Sequence, residues 1–294
     1  MEFLEAVTRH PFLQHALLAG VLASIACGTV GSFVVVRRIT AIAGAIAHCV
    51  LGGLGLARWL QVVHGWTWLD PMTGAVVAAV AAALILGIVS LRAREREDTI
   101  IAALWAVGMA IGVIFISRTP GANQDLMSYL FGNILLVTPD DLWMMVVLDA
   151  IVVGVVVLFF AQLQAVCFDD EFARVRGLAV EAYYLVLLTL TALTVVLLVR
   201  VVGIILVIAL LTLPVAIASR FSHSLRHIMV GAVGLSMVLT TAGLAISYRP
   251  DLPSGATTIV LAGVVYLSVL AVRRLQRRAH APSATPDAKR AGDR

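Results

Sequence analysis

This chain encodes an all-α polytopic membrane protein with about nine transmembrane helices, its N-terminus outside and its C-terminus in the cytoplasm. Three observations lead there. Hydrophobic residues make up 61% of the 294 and charged residues only 13%. Soluble domains carry roughly 45–50% and about 25%, so this chain lacks the charge to cover a water-facing surface. Mean hydropathy is +1.01. Finally, apolar stretches of about 20 residues, the length a bilayer demands, recur along the chain with arginines gathered in alternate connections.

The spans run over 12–36, 40–63, 71–91, 99–117, 142–164, 182–199, 201–219, 227–247 and 255–272. Sorting the basic residues by alternate connections gives 16 on one side (37–38, 92–96, 174–176, 220–226 and the tail) and 5 on the other (Arg9, Arg58, Arg118, Arg200 and Arg249), which accounts for all 21. Lysine and arginine concentrate in the cytoplasm, and an eight- or ten-span reading would scramble this bias. The apolar run 126–137 has 12 residues, too few to cross, and reads as a re-entrant or interfacial segment. Residues 1–278 form the transmembrane domain. Residues 279–294 are rich in Ala, Pro and charge and form a disordered cytoplasmic tail. Arg273, Arg274, Arg277 and Arg278 help it onto anionic lipid. The net charge of +4 is explained by this topology, and no nucleic acid partner is expected.

Several function classes drop out. The single lysine is Lys289, so no P-loop exists and the chain is not itself an ATPase; an H-E-x-x-H zinc-protease helix is also missing. The expectation is that it is not an enzyme and holds no permanent cofactor. Cys27, Cys49 and Cys167 lack a C-x-x-C spacing and read as apolar packing residues. The acidic N-terminus lacks a basic n-region, so no cleaved signal peptide is expected.

Ionisable groups inside a span are expensive and mark function by default. His48, deep in span two, is flanked by Gly44, Gly52, Gly53 and Gly55, small residues that let a neighbouring helix come close. Its imidazole is a ligand for zinc, copper, iron or nickel, or a group bonded to a neighbouring helix carbonyl. Asp149, about two turns into span five, lines a hydrated path, pairs with Gln162 or Asn133, or lies near the interface. The loop 166–182 reads as a short amphipathic helix. Asp169 or Asp170 sits at its N-cap, Phe172 and Val175 are its apolar residues, and Gly177 stops it. Such a helix is either an ordinary interfacial helix or a docking surface for a soluble partner. Glu97, Asp98 and Thr99 begin span four, and 251–260 forms a tight turn and cap ahead of the last span.

Several ordered segments carry a family resemblance: VVRRITAIAGAIAHCVLGGLGLA (35–57), REDTIIAALWAVGMAIG (96–112), DLMSYLFGNILLVTPDDL (125–142), FDDEFARVRGL (168–178), VGIILVIALLTLPVAIA (202–218) and SYRPDLPSGATTIVL (247–261). Over residues 10–275 the chain resembles the membrane permeases of ATP-binding-cassette importers for zinc, manganese and related transition metals. The resemblance implies a homodimer of permease chains in the bilayer of a bacterial-type inner membrane. A cytoplasmic ATPase dimer would sit beneath it, and an extracytoplasmic metal-binding protein would deliver a divalent cation, zinc or manganese. It makes Asp169, Asp170, Glu171, Phe172, Arg174 and Gly177 parts of the helix that couples to the ATPase, on the side the arginines assign to the cytoplasm.

Many members of that family have an aspartate four residues before the span-two histidine, on the same helix face. Here His48 is kept and the matching position is Gly44. Either Asp149 or Asp125 replaces that carboxylate, or the ion meets fewer protein ligands, or the substrate is a chelate or another metal. An ion-coupled secondary transporter is the rival of a different class; beyond Asp149 its spans nearly lack the acids such a relay needs. An intramembrane enzyme and a purely structural subunit are further rivals.

Overall fold

The computed structural model describes residues 2–92, 97–120, 132, 134, 137–248, 250 and 252–279. All regular structure among them is helical: α1 (Glu2–Arg9), α2 (Pro11–Val36), α3 (Thr40–His64), α4 (Pro71–Arg92), α5 (Glu97–Ser117), α6 (Pro139–Leu158), α7 (Phe160–Phe168), α8 (Asp170–Val175), α9 (Val180–Val202), α10 (Ile204–Ala218), α11 (Leu225–Tyr248) and α12 (Ser254–Ala279). Eight of these are long and apolar enough to cross a membrane, and α10, with 15 residues, is a shorter apolar helix. Together they match the nine expected spans.

Backbone chemistry sets the boundaries. Proline, which has no N–H to lose, opens α2 at Pro11 and α6 at Pro139. A capping box closes the start of α6: the Thr138 hydroxyl accepts from the Asp141 backbone N–H, and the Asp141 carboxylate accepts from Thr138. The fifth span therefore begins earlier than its hydropathy suggests. It also ends earlier. Phe159 leaves helical geometry, and its ring turns to Tyr183 of α9 while the next ring, Phe160, turns to Phe33 of α2. The expected single span 142–164 is thus two helices, α6 and α7. Gly203, with φ 83° and ψ 158°, adopts a conformation open essentially to glycine alone. It turns the chain from α9 into α10 in one residue.

Two helices form the centre of the bundle. The most apolar stretches of α2 and α3 are 72% and 78% buried within the chain, whereas those of α5 and α12 are 22% and 17% buried and face outward. Small residues let the central helices pack at backbone distance. A Cβ on Gly28 would lie 2.6 Å from the Val233 nitrogen of α11, and Gly31 lies against the Leu211 carbonyl of α10.

The bundle has two distinct ends. At one, the α2–α3 turn meets α8 through Arg37 and Asp170, Arg226 lies 5.0 Å over the Phe160 ring, and Arg273 lies 4.5 Å over Phe221. Arg37, Arg38, Ser90, Glu97 and Asp98 share one cleft there. These residues come from the connections that the arginine count places together, so the odd–even order of the spans is reproduced in space. At the other end Trp59 packs on Phe115 and His64, and Trp66 on Trp68, the aromatic girdle typical of a membrane surface. The expected re-entrant segment 126–137 and the tail lie largely outside the described residues. Of the former, Ile134 and Val137 are buried and Gly132 abuts Val202 and Gly203.

Candidate metal site and the helix at the arginine-rich end

His48 is eight residues into α3, about 12 Å along its axis from Thr40. It is half-buried. Its Nδ1 lies 2.8 Å from the Gly44 carbonyl oxygen. A carbonyl only accepts, so Nδ1 carries the proton and donates, and the lone pair is left on Nε2, the atom available to a cation. This is the arrangement in which a backbone carbonyl orients a metal-binding imidazole. The other restraint is Trp105 of α5, whose ring stacks on the imidazole with centroids 4.4 Å apart and planes 30° from parallel.

Trp105 also accounts for the glycine at position 44. A Cβ there would sit 2.6 Å from the indole Cζ3 and 3.0 Å from Cη2. A carboxylate on Gly44 and an indole at Trp105 compete for one space, and this chain fills it with the indole. Gly52 and Gly53 face different neighbours. A Cβ on Gly52 would lie 2.8 Å from the Gly108 carbonyl of α5, and Gly53 abuts the Gly74 carbonyl of α4. The histidine helix is therefore clasped at backbone distance from both sides. Cys49 points toward α5, where its thiol donates to the Leu104 carbonyl at 3.4 Å.

Asp149 lies ten residues into α6, about 15 Å along it and so near mid-membrane. It is deeper than the two turns expected, because Thr138 starts the helix early. It is only 6% exposed, which removes the interfacial alternative, and neither carboxylate oxygen has a hydrogen-bond partner among the described residues, Gln162 included. The structure does not bring it to His48: His48 stacks on Trp105 of α5, whereas Asp149 sits on α6, which packs on α2 and α9. Among the described residues no three His, Cys, Asp or Glu side chains gather around one point. Asp125 and Asn133 lie outside the described residues.

At the arginine-rich end, α8 is the short helix expected between Asp169 and Gly177. Asp169 is its N-cap, accepting from the Phe172 N–H at 2.9 Å. Gly177 ends it at φ 78°, a left-handed backbone that favours glycine. Ala173 is fully buried against Val166 and Val180, whereas Phe172 and Val175 are 52% and 86% exposed. The helix thus turns its large apolar side chains away from its own chain. Glu171 is exposed, Arg176 covers the Phe172 ring at 5.0 Å, and Arg174 lies 3.7 Å from Glu181.

A two-armed ion pair joins this helix to the C-terminal end of α2, at the α2–α3 turn. Arg37 donates from Nη1 and Nη2 to the two Asp170 carboxylate oxygens, each at 2.6 Å, and from Nη1 to the Val166 carbonyl at 2.9 Å. Its guanidinium also covers Tyr184 at 5.4 Å. The paired carboxylate raises the Arg37 pKa above its ordinary value. Sequence reasoning used Arg37 only as a topological charge, and it passed over Trp105. The available signals were the arginine pair at the turn before the histidine helix and a lone tryptophan in an otherwise aliphatic span.

Comparison with known proteins places the chain in a family. The profile of the ABC 3 transport family matches residues 9–273. A Chlamydia pneumoniae protein named "Probable metal transport system membrane protein" is 43% identical over 262 residues, 89% of each chain. The manganese transport system membrane protein MntC of Listeria monocytogenes is 34% identical, covering 90% of this chain and 92% of that one. Among solved structures, PsaBC from Streptococcus pneumoniae in complex with Fab aligns at a TM-score of 0.83 with 29% identity, over 94% of this chain and 99% of that one.

Proposed function

The chain belongs to the ABC 3 transport family, and from that premise we propose that it is the membrane permease of an ATP-driven importer of a divalent transition metal, manganese or zinc. The relatives named for manganese transport favour manganese; the imidazole donor suits zinc equally well. Two copies of this chain pair in a bacterial inner membrane. A separate ATPase dimer docks at the arginine-rich end, and an external binding protein delivers the ion at the other.

The observation that carries the reading is His48, held by the Gly44 carbonyl with Nε2 free and with no closed ligand cage around it among the described residues. A conducting site must attract an ion and release it, and one imidazole aided by water and backbone oxygens does so more readily than a tetrahedral cage. Asp149 and Asp125 are candidates for further contacts along the path, and α8, with Phe172 outward, is the candidate docking helix for the ATPase.

The test is uptake of radioactive manganese and of zinc by proteoliposomes holding the complete complex. His48→Ala should assemble with the ATPase and lose uptake, while Asp149→Asn reports whether that carboxylate meets the ion. Uptake by wild type without ATP hydrolysis would reject the importer reading, and unchanged uptake by His48→Ala would return His48 to a packing role.

A further inference from the structure

A cavity of about 600 Å³ opens between the end of α10 and the last turns of α12, lined by Arg220, Arg273, Arg274, Leu267, Leu270 and Ala271. Its chemistry is divided. Three of the lining residues are arginines and three are aliphatic. Among the described residues no ion pair involves any of these arginines. Arg273 is held in place by the face of Phe221, 4.5 Å from its ring centroid, and Phe221 is itself 66% exposed.

Depth in the membrane decides what such a cavity meets. Arg273 stands 19 residues after the first residue of α12, which is Ser254, or about 28 Å along the helix. The hydrocarbon layer is about 30 Å thick. The arginines therefore lie at headgroup level, while Leu267 and Leu270, up to two turns earlier on the same helix, lie at acyl-chain level. The outward face of α12 is bare, with Val264, Leu267 and Val272 all more than half exposed. A basic pocket at this boundary, with an apolar wall running into the bilayer, matches a molecule with an anionic head and a hydrocarbon tail.

We infer that the cavity between α10 and α12 is a binding site for an anionic phospholipid of the surrounding bilayer, its phosphate held by Arg220, Arg273 and Arg274 and its acyl chain lying along Leu267 and Leu270. This site shares no residue with His48 and its neighbours and stands independently of the transported ion.

The experiment uses the full chain in its purified complex, delipidated in neutral detergent and titrated with dioleoyl phosphatidylglycerol, dioleoyl phosphatidylcholine or inorganic phosphate. Bound lipid is counted by native mass spectrometry, and thermal unfolding is followed in parallel. The phosphatidylglycerol should bind and raise the unfolding temperature; the zwitterionic lipid should not. Each Arg→Gln change should weaken phosphatidylglycerol about fivefold, and R220Q/R273Q/R274Q roughly a hundredfold, the scale of one to three arginines at an anionic surface. Arg118→Gln, at the opposite end of the bundle, should change nothing. If the triple variant fails to fold, Arg274→Gln alone decides, since that side chain is exposed.

Equal binding of both lipids, or no change in R274Q, would overturn the site. Displacement of phosphatidylglycerol by millimolar phosphate would overturn the lipid and leave a soluble-anion site. Loss of ATPase co-purification in the arginine variants, with lipid binding intact, would make this wall a protein interface instead.

Discussion

Gly52→Ala tests how α3 is held against α5, and the outcome follows from distances. The added methyl would lie 2.8 Å from the Gly108 carbonyl oxygen, where ordinary contact begins at 3.4 Å, a shortfall of about 0.6 Å. The obstacle is backbone and has no rotamer to change. Nor can the helices tilt about the new methyl. Three residues along, a Cβ on Gly55 would meet the Gly112 carbonyl at 2.7 Å, and one on Gly108 would meet Cys49 Sγ at 2.8 Å. The pair has to part along its whole length. Overpacking of this kind costs about 1–3 kcal/mol, and replacing a helical glycine by alanine returns about 0.5–1 kcal/mol, leaving a net loss centred on about 1 kcal/mol. Gly154→Ala in α6 is the matched control, because nothing lies within 4 Å of its Cβ and only the favourable helical contribution applies. Thermal unfolding in detergent, read from tryptophan fluorescence, should put Gly52→Ala below wild type by about 2–8 °C on the scale for a chain of this class. Gly154→Ala should sit at or above wild type. A Gly52→Ala protein as stable as wild type would refute the view that bare backbone sets the α3–α5 spacing.

Two further predictions concern the site itself. Gly44→Ala should push the Trp105 indole off the His48 ring, and Trp105→Ala should create room for that methyl, so the two changes should be non-additive by roughly 0.5–3 kcal/mol in unfolding free energy; simple additivity would mean that they do not share the space. Arg37→Lys keeps the charge at the α2–α3 turn but loses the two-armed fork to Asp170. It should reduce metal moved per ATP hydrolysed while the ATPase still co-purifies. The exchanged pair Arg37→Asp with Asp170→Arg should recover part of the loss, and wild-type coupling in Arg37→Lys would separate the fork from transport.

The spans were legible because a bilayer imposes a length and a polarity that few other settings demand, and because the arginine asymmetry has one simple solution. The α8 helix was legible for a local reason: a cap at Asp169 and a stop at Gly177 are encoded within nine residues. The limits of the fifth span were less visible. Hydropathy does not register the Thr138–Asp141 capping box, and the break at Phe159 goes with ring contacts that Phe159 and Phe160 make to two other helices. The His48–Trp105 stack was hidden for a different reason. A transmembrane helix is apolar on every side, so its pattern gives little clue to which face meets a neighbour. The Arg37–Asp170 fork joins residues 133 positions apart, a pairing that composition and spacing leave open.

The joint at Gly203 has an electrical consequence. A 15-residue α10 is about 22 Å long, roughly 8 Å short of the hydrocarbon thickness. Beside that joint lies the backbone of Gly132, so a peptide group adjoins the Gly203 end of α10. Among the described residues, the apolar helical layer is shorter along α10 than along any of the eight longer spans. A charge passing alongside α10 would meet a shorter apolar helix than beside any of those spans. The work of translocation, and any membrane voltage acting on it, would then be concentrated in the span between Gly203 and the arginine-rich end.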